Sequence, residues 1–274
     1  MTRQDHLREV DGRWRRASLA TVVTVVALFA GQFLWLMLGP PADHTWLWRS
    51  VGLVVPFGVS LILLALWLRL REKRGLSSLG VPVRRPVPAV LGAGALALVL
   101  LVISSVVGSV VGGTGDVAAD TGGDPVSQGV LAVAVILVAT ALQSSTEELL
   151  FRGYLLGAVR TGFGSGVAVA FSSLVFGLCH SFNADISVVY VTSTVALGAL
   201  LGIISLGRGG LWAACGFHTV WNLVQNLVAD PSAGSDTTGS SSAGIAALLL
   251  LVCCVGIAAW FRVRHPGPDL PTTA

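Results

Sequence analysis

Charge is scarce in this sequence. Only 11% of its 274 residues are Asp, Glu, Lys or Arg, against about a quarter in an ordinary soluble domain, while 54% are hydrophobic and the mean hydropathy is +0.80. Such a composition excludes disorder over most of the length and points to a bilayer. Lysine is nearly missing, with Lys73 alone beside sixteen arginines. The basic residues are spread along the chain, so the net charge of +3 makes no nucleic-acid surface and no nucleic-acid partner is expected. Cysteine is scarce too. Cys179, Cys215, Cys253 and Cys254 lie in apolar runs without a CxxC pair, which excludes a zinc knuckle or disulfide framework and leaves them as small buried apolar residues. No P-loop, dinucleotide fingerprint or internal repeat is found, and the glycine pairs read as turns.

What the sequence has is long apolar runs. Eight charge-poor stretches, at 17–38, 50–68, 87–112, 129–160, 165–182, 186–206, 210–228 and 244–261, are candidate membrane spans of about 20 residues. The first follows Arg13, Arg15 and Arg16 but is longer than a signal-peptide core, so it reads as a retained anchor. With eight spans and both termini in the cytoplasm, every basic residue except Arg49 falls on the inner side, as the positive-inside rule asks. The expectation is an all-α, multi-pass protein of the cell membrane with the lipid bilayer as its partner. Its parts would be a basic cytoplasmic N-terminus (1–16), a membrane domain (17–261) and a disordered cytoplasmic tail (262–274). Gly-, Ser- and Asp-rich stretches before the fourth and eighth runs read as outer loops. GxxxG spacings at Gly108 and Gly112 and at Gly198 and Gly202 read as helix packing within the chain.

Polar residues inside spans are costly and mark function. Here they are few: Gln143, Glu147, Glu148 and Arg152 in the fourth run, His180 in the fifth, and His218, Asn222 and Asn226 in the seventh. The stretch TGFGSG at residues 161–166 is a turn between the fourth and fifth runs. Glu147 and His180 are equidistant from its middle, so a helical hairpin sets them at one depth, roughly 20 Å from the inner ends. His218 and Asn222 lie roughly 12 to 18 Å along the seventh run by the same rise. All can converge in the cytoplasmic half of the membrane. By helical facing, Glu148 and Arg152 pair at i, i+4, and His218 and Asn222 share a face. Glu147 then points elsewhere as a carboxylate without a local cation, suited to a general base.

Three motifs carry a resemblance. Glu147-Glu148-Leu149-Leu150-Phe151-Arg152 is an EExxxR, Phe176-Gly177-Leu178-Cys179-His180 an FxxxH, and His218-Thr219-Val220-Trp221-Asn222 an HxxxN. In this order and spacing, over about residues 129–228, they resemble the CPBP (ABI) family of intramembrane endopeptidases, which includes the Rce1-type CAAX prenyl proteases and bacteriocin-processing enzymes. The resemblance implies an Rce1-like helical membrane bundle of eight spans. It also implies hydrolysis of a peptide bond in a membrane-embedded or lipidated peptide, a prenylated one being the family's best-known substrate. Glu147 would activate water together with His180, His218 and Asn222 would donate to the oxyanion, and Arg152 would orient the acidic pair through Glu148. Phe176 is carried over as a supporting residue of its motif.

Two points stay open at this level. Glu147, His180 and His218 could also ligate zinc with water as the fourth ligand, yet the helix bears HTVWN and not HExxH, and the glutamate chemistry can be written without a cofactor. A bacteriocin-immunity or scaffolding protein would keep the same fold with dispensable polar residues. A proton-coupled transporter would use the same acids as a relay, although the sequence has no repeat to support it.

Overall fold

The computed structural model describes residues 3–39, 45–80, 84–112, 129–182, 187–228 and 242–264. The expected outer loops at 113–128 and 229–241 and the tail beyond 264 lie outside the described residues. All the regular structure among them is helical: α1 (Arg3–Met37), α2 (Trp46–Leu70), a short 3-10 turn (Leu76–Leu79), α3 (Pro86–Gly112), α4 (Gly129–Glu148), a π-helical segment (Leu149–Leu155), α5 (Leu156–His180), α6 (Val188–Ser205), α7 (Gly210–Val228) and α8 (Ser242–Arg264). The basic N-terminus is therefore the first part of α1, and Arg262 and Arg264 end α8.

Length and apolarity alone mark five membrane-crossing stretches among the described residues, not eight. One of them, Gly129–His180, is 52 residues long and joins the fourth and fifth runs. It is not straight, because Gly164 has φ 80 and ψ 169, a region open essentially to glycine alone. The chain reverses there. Phe151 and Phe176 pack edge to face at 5.0 Å, whereas on a straight helix 25 residues would separate them by about 37 Å. The other shortfall is at the end of the chain: α7 carries the polar residues of the HxxxN segment, and the apolar part of α8 is the shorter Gly244–Ala259.

Close approaches fix how the helices run. A Cβ on Gly31 of α1 would run into Pro56 of α2, and Ser60 Oγ donates to the Leu28 carbonyl at 3.4 Å, so these two helices are antiparallel. Just before α7, Gly209 lies against Ala89, and on α7 Gly216 lies against the Val90 backbone and Val220 against Gly94, which makes α3 and α7 parallel. Gly198 and Gly202 of α6 lie against Ser173 and Val169 of α5, so this GxxxG pair serves packing inside the chain. Arg13 NH1 donates to the Gly162 carbonyl at 3.3 Å and the Trp14 ring packs, tilted, 4.7 Å from that of Phe163, placing the start of α1 beside the 161–166 turn. These contacts set the start of α1, the 71–85 loop, the Gly164 turn and Arg208 on one side. Arg49 donates to the Asn226 carbonyl at 3.0 Å on the other.

Two apolar clusters result. One joins α1, α2, the π segment and α5; the second joins α3, α6, α7 and α8. Many large apolar side chains outside them, among them Val22, Val26, Ile62, Leu96 and Leu98, point outward from the bundle, as a lipid-covered surface requires. The polar residues of α4 and α7 meet between the clusters.

Candidate active site

Glu147, Glu148, Arg152 and His218 are at most 3% exposed. Charged groups at such a depth persist only when they pair, and Glu148 is the hub. Its Oε1 accepts from Arg152 NH1 at 2.9 Å and from His218 Nδ1 at 2.8 Å. The i, i+4 pair expected from spacing is thus formed. Arg152 also donates to the Gly198 carbonyl at 3.2 Å and lies 4.2 Å above the Phe176 ring, so Gly198, lacking a side chain, lets α6 come near enough to be bonded.

Glu147 lies on the other side of the same imidazole. Its Oε2 is 3.6 Å from His218 Nε2, too long for a hydrogen bond, and has no hydrogen-bond partner among the described residues. Its Oε1 accepts from Gln143 Nε2 at 3.3 Å. The sequence argument sent the two acids apart. They diverge on α4, but an imidazole has nitrogens on opposite edges, and α7 brings His218 across the boundary between the two faces.

His180 is held differently. Its Nδ1 lies 2.8 Å from the Phe176 carbonyl; since a carbonyl only accepts, Nδ1 carries the hydrogen and Nε2 is left with its lone pair. No hydrogen bond joins His180 to Glu147 among the described residues; those of Glu147 go to Gln143 and its ion-pair neighbour is His218. Phe176 is the spacer, with its ring 4.4 Å from that of His180 and 5.8 Å from that of His218. Asn222 is half-buried one turn beyond His218, and no hydrogen bond ties it to the cluster among the described residues. The structure thus joins Glu147, Glu148, Arg152, Phe176 and His218 through direct contacts, with His180 against Phe176 and Asn222 apart. No three His, Cys, Asp or Glu side chains among the described residues gather as a metal-binding group, so the zinc-capable set of Glu147, His180 and His218 is not assembled as one.

Sequence reasoning missed two features. The π segment, a conformation often found at functional sites, follows directly on Glu148 and carries Arg152. The other is a polar cluster at the end of α2. Glu72 Oε1 accepts from Tyr154 at 2.6 Å and from Trp67 at 2.9 Å, while its Oε2 accepts from Arg74 at 2.7 Å. Burial pushes the Glu72 carboxyl up, but the hydrogen bonds from Tyr154, Trp67 and Arg74 and the Arg74 charge outweigh it and hold the group below the ordinary carboxylate range. Leu79 packs on Gly153 beside it, so the 71–79 loop is fastened to the π segment. The signal for this was Glu72 itself, the one acid in an otherwise basic loop.

Residues 129–224 match the family described as type II CAAX prenyl endopeptidase, Rce1-like. The chain carries an Rce1-like domain. The match runs from the start of α4 into α7 and takes in all three motifs. No curated protein shows a significant match to the chain. Rce1-like proteins form a peptidase family, and the apolar helices beside this domain make the chain a membrane protein.

Proposed function

We propose that this Rce1-like chain is an intramembrane endopeptidase that cleaves a membrane-embedded or lipidated peptide, with Glu147 as general base and no cofactor. The observation that carries the reading is Glu147 Oε2, a buried carboxylate oxygen facing His218 Nε2 across 3.6 Å without another partner among the described residues. A water set beside that gap reaches both atoms. It attacks the scissile carbonyl carbon and gives its proton to Glu147, while the carbonyl electron pair becomes an oxyanion that accepts from His218 and Asn222. Collapse breaks the C–N bond, and Glu147 passes its proton to the leaving amine. His180, with Nδ1–H anchored on Phe176, offers Nε2 as a second acceptor for the water.

As a donor to the oxyanion, His218 uses the ring edge opposite the Nδ1 that faces Glu148. The family's prenylated C-terminal peptides suit a site set among apolar membrane helices. By the positive-inside rule, the arginine-bearing side and both termini are cytoplasmic, and the site lies in that half of the membrane. The test is Glu147→Gln at wild-type abundance: removing the base abolishes hydrolysis, and unchanged cleavage overturns the reading.

A further inference from the structure

α4 and α7 cross the site as a ladder of polar rungs. At one end His218 Nδ1 donates to Glu148 Oε1 at 2.8 Å, and at the other Asn226 Nδ2 donates to Thr140 Oγ1 at 3.1 Å. Arg49, reaching the Asn226 carbonyl at 3.0 Å, closes that far end. Both rungs obey one antiparallel register, and it sets Asn222 level with Ser144. Successive rungs are one turn apart, about 6 Å. Because Thr140 and Glu148 both face α7, Ser144 midway between them on the same stripe faces it too.

The middle rung is the open one. Ser144 is fully buried, and its Oγ has no hydrogen-bond partner among the described residues. The buried serines Ser50, Ser60 and Ser173 each donate to the carbonyl four residues back; Ser144 does not, and it shares this with Thr146 nearby, but Ser144 is the one on the stripe that faces α7. A buried hydroxyl without a partner is costly, so its place between the two closed rungs calls for a polar guest. Resting on the reading of the chain as an endopeptidase, we propose that Ser144 is a further catalytic residue, whose hydroxyl donates beside Asn222 to the scissile carbonyl oxygen as it becomes an oxyanion. The hydroxyl keeps its proton throughout and forms no covalent bond. The peptide carbonyl then lies across the open rung, with its carbon toward Glu147 and its oxygen toward Ser144 and Asn222.

The test follows protein termini that appear in native membranes of a host lacking the gene and supplied with wild type, Glu147→Gln, Ser144→Ala, Ser144→Thr or Ser145→Ala at equal abundance. Thermal unfolding in detergent checks that the variants fold. Ser144→Ala slows the appearance of Glu147-dependent termini by about 100-fold, the loss typical of one oxyanion donor. Ser144→Thr, which keeps the hydroxyl, stays within about fivefold of wild type, and Ser145→Ala, whose hydroxyl is engaged by Cys215 and not at the open rung, is unaffected. Glu147-dependent termini formed by a folded Ser144→Ala at the wild-type rate overturn the role of Ser144 and leave the protease reading standing. The same holds if Ser144→Thr folds and is as slow as Ser144→Ala. Absence of any Glu147-dependent terminus overturns both.

Discussion

At the scale of single residues the account turns on carboxylates that share donors. Arg152 neutralises Glu148, bonds Gly198 and covers Phe176, so Arg152→Leu leaves a buried carboxylate without its cation and destabilises the fold by about 3–5 kcal/mol. Thermal unfolding in detergent reads this, and Arg152→Lys, which keeps the charge but not the two-sided reach, loses less. Glu72 makes a prediction about pH. Its folded-state pKa is depressed, so its contribution is full above the ordinary carboxylate range and is lost as pH falls through the depressed value. The hydrogen-exchange protection factors of residues 76–80, which correct for the intrinsic pH dependence of exchange, accordingly fall on acidification, and Glu72→Gln is poorly protected at neutral pH as well. The pairing of Glu148 with Arg152 was legible in the sequence because i, i+4 spacing fixes it. The approach of His218 to both acids was not, since it depends on where α7 crosses α4.

At the scale of elements, the helical hairpin is the feature on which the site depends. Glycines in TGFGSG and the equal distances of Glu147 and His180 from it made the reversal readable. Gly164→Ala places a side chain at φ 80, ψ 169 and destabilises the hairpin by about 1–3 kcal/mol, measured as a lower unfolding temperature, whereas Gly166→Ala, with ordinary φ and open space around its Cβ, has a smaller effect. The π segment could not be read in advance. Nothing in Leu149–Leu155 breaks helical periodicity; its register is set by contacts distant in sequence, such as Leu79 on Gly153 and Trp67 on Tyr154.

For the whole molecule, composition sufficed for an all-helical membrane protein but not for the number of crossings. The polar residues that build the site lower the apolarity of α7, and the fourth and fifth runs fuse into one long helical stretch. Contacts across the bundle group the Gly164 turn with the start of α1 on one side and put Arg49 on the other, and the proposed orientation can be tested by labelling. In a cysteine-free background, Ser165→Cys and Arg208→Cys react with a membrane-impermeant thiol reagent from the cytoplasmic side and Trp48→Cys from the opposite side. Labelling of positions 165 and 208 from different sides would contradict the arrangement.

The most direct measurement of the central claim compares protein termini in membranes containing the wild-type chain with those containing Glu147→Gln at equal abundance. The account predicts a set of termini in membrane-embedded or lipidated proteins that is present with wild type and absent with the variant. Identical profiles, with both proteins sustaining the same cellular phenotype, would contradict it and turn the reading toward an immunity or scaffolding protein.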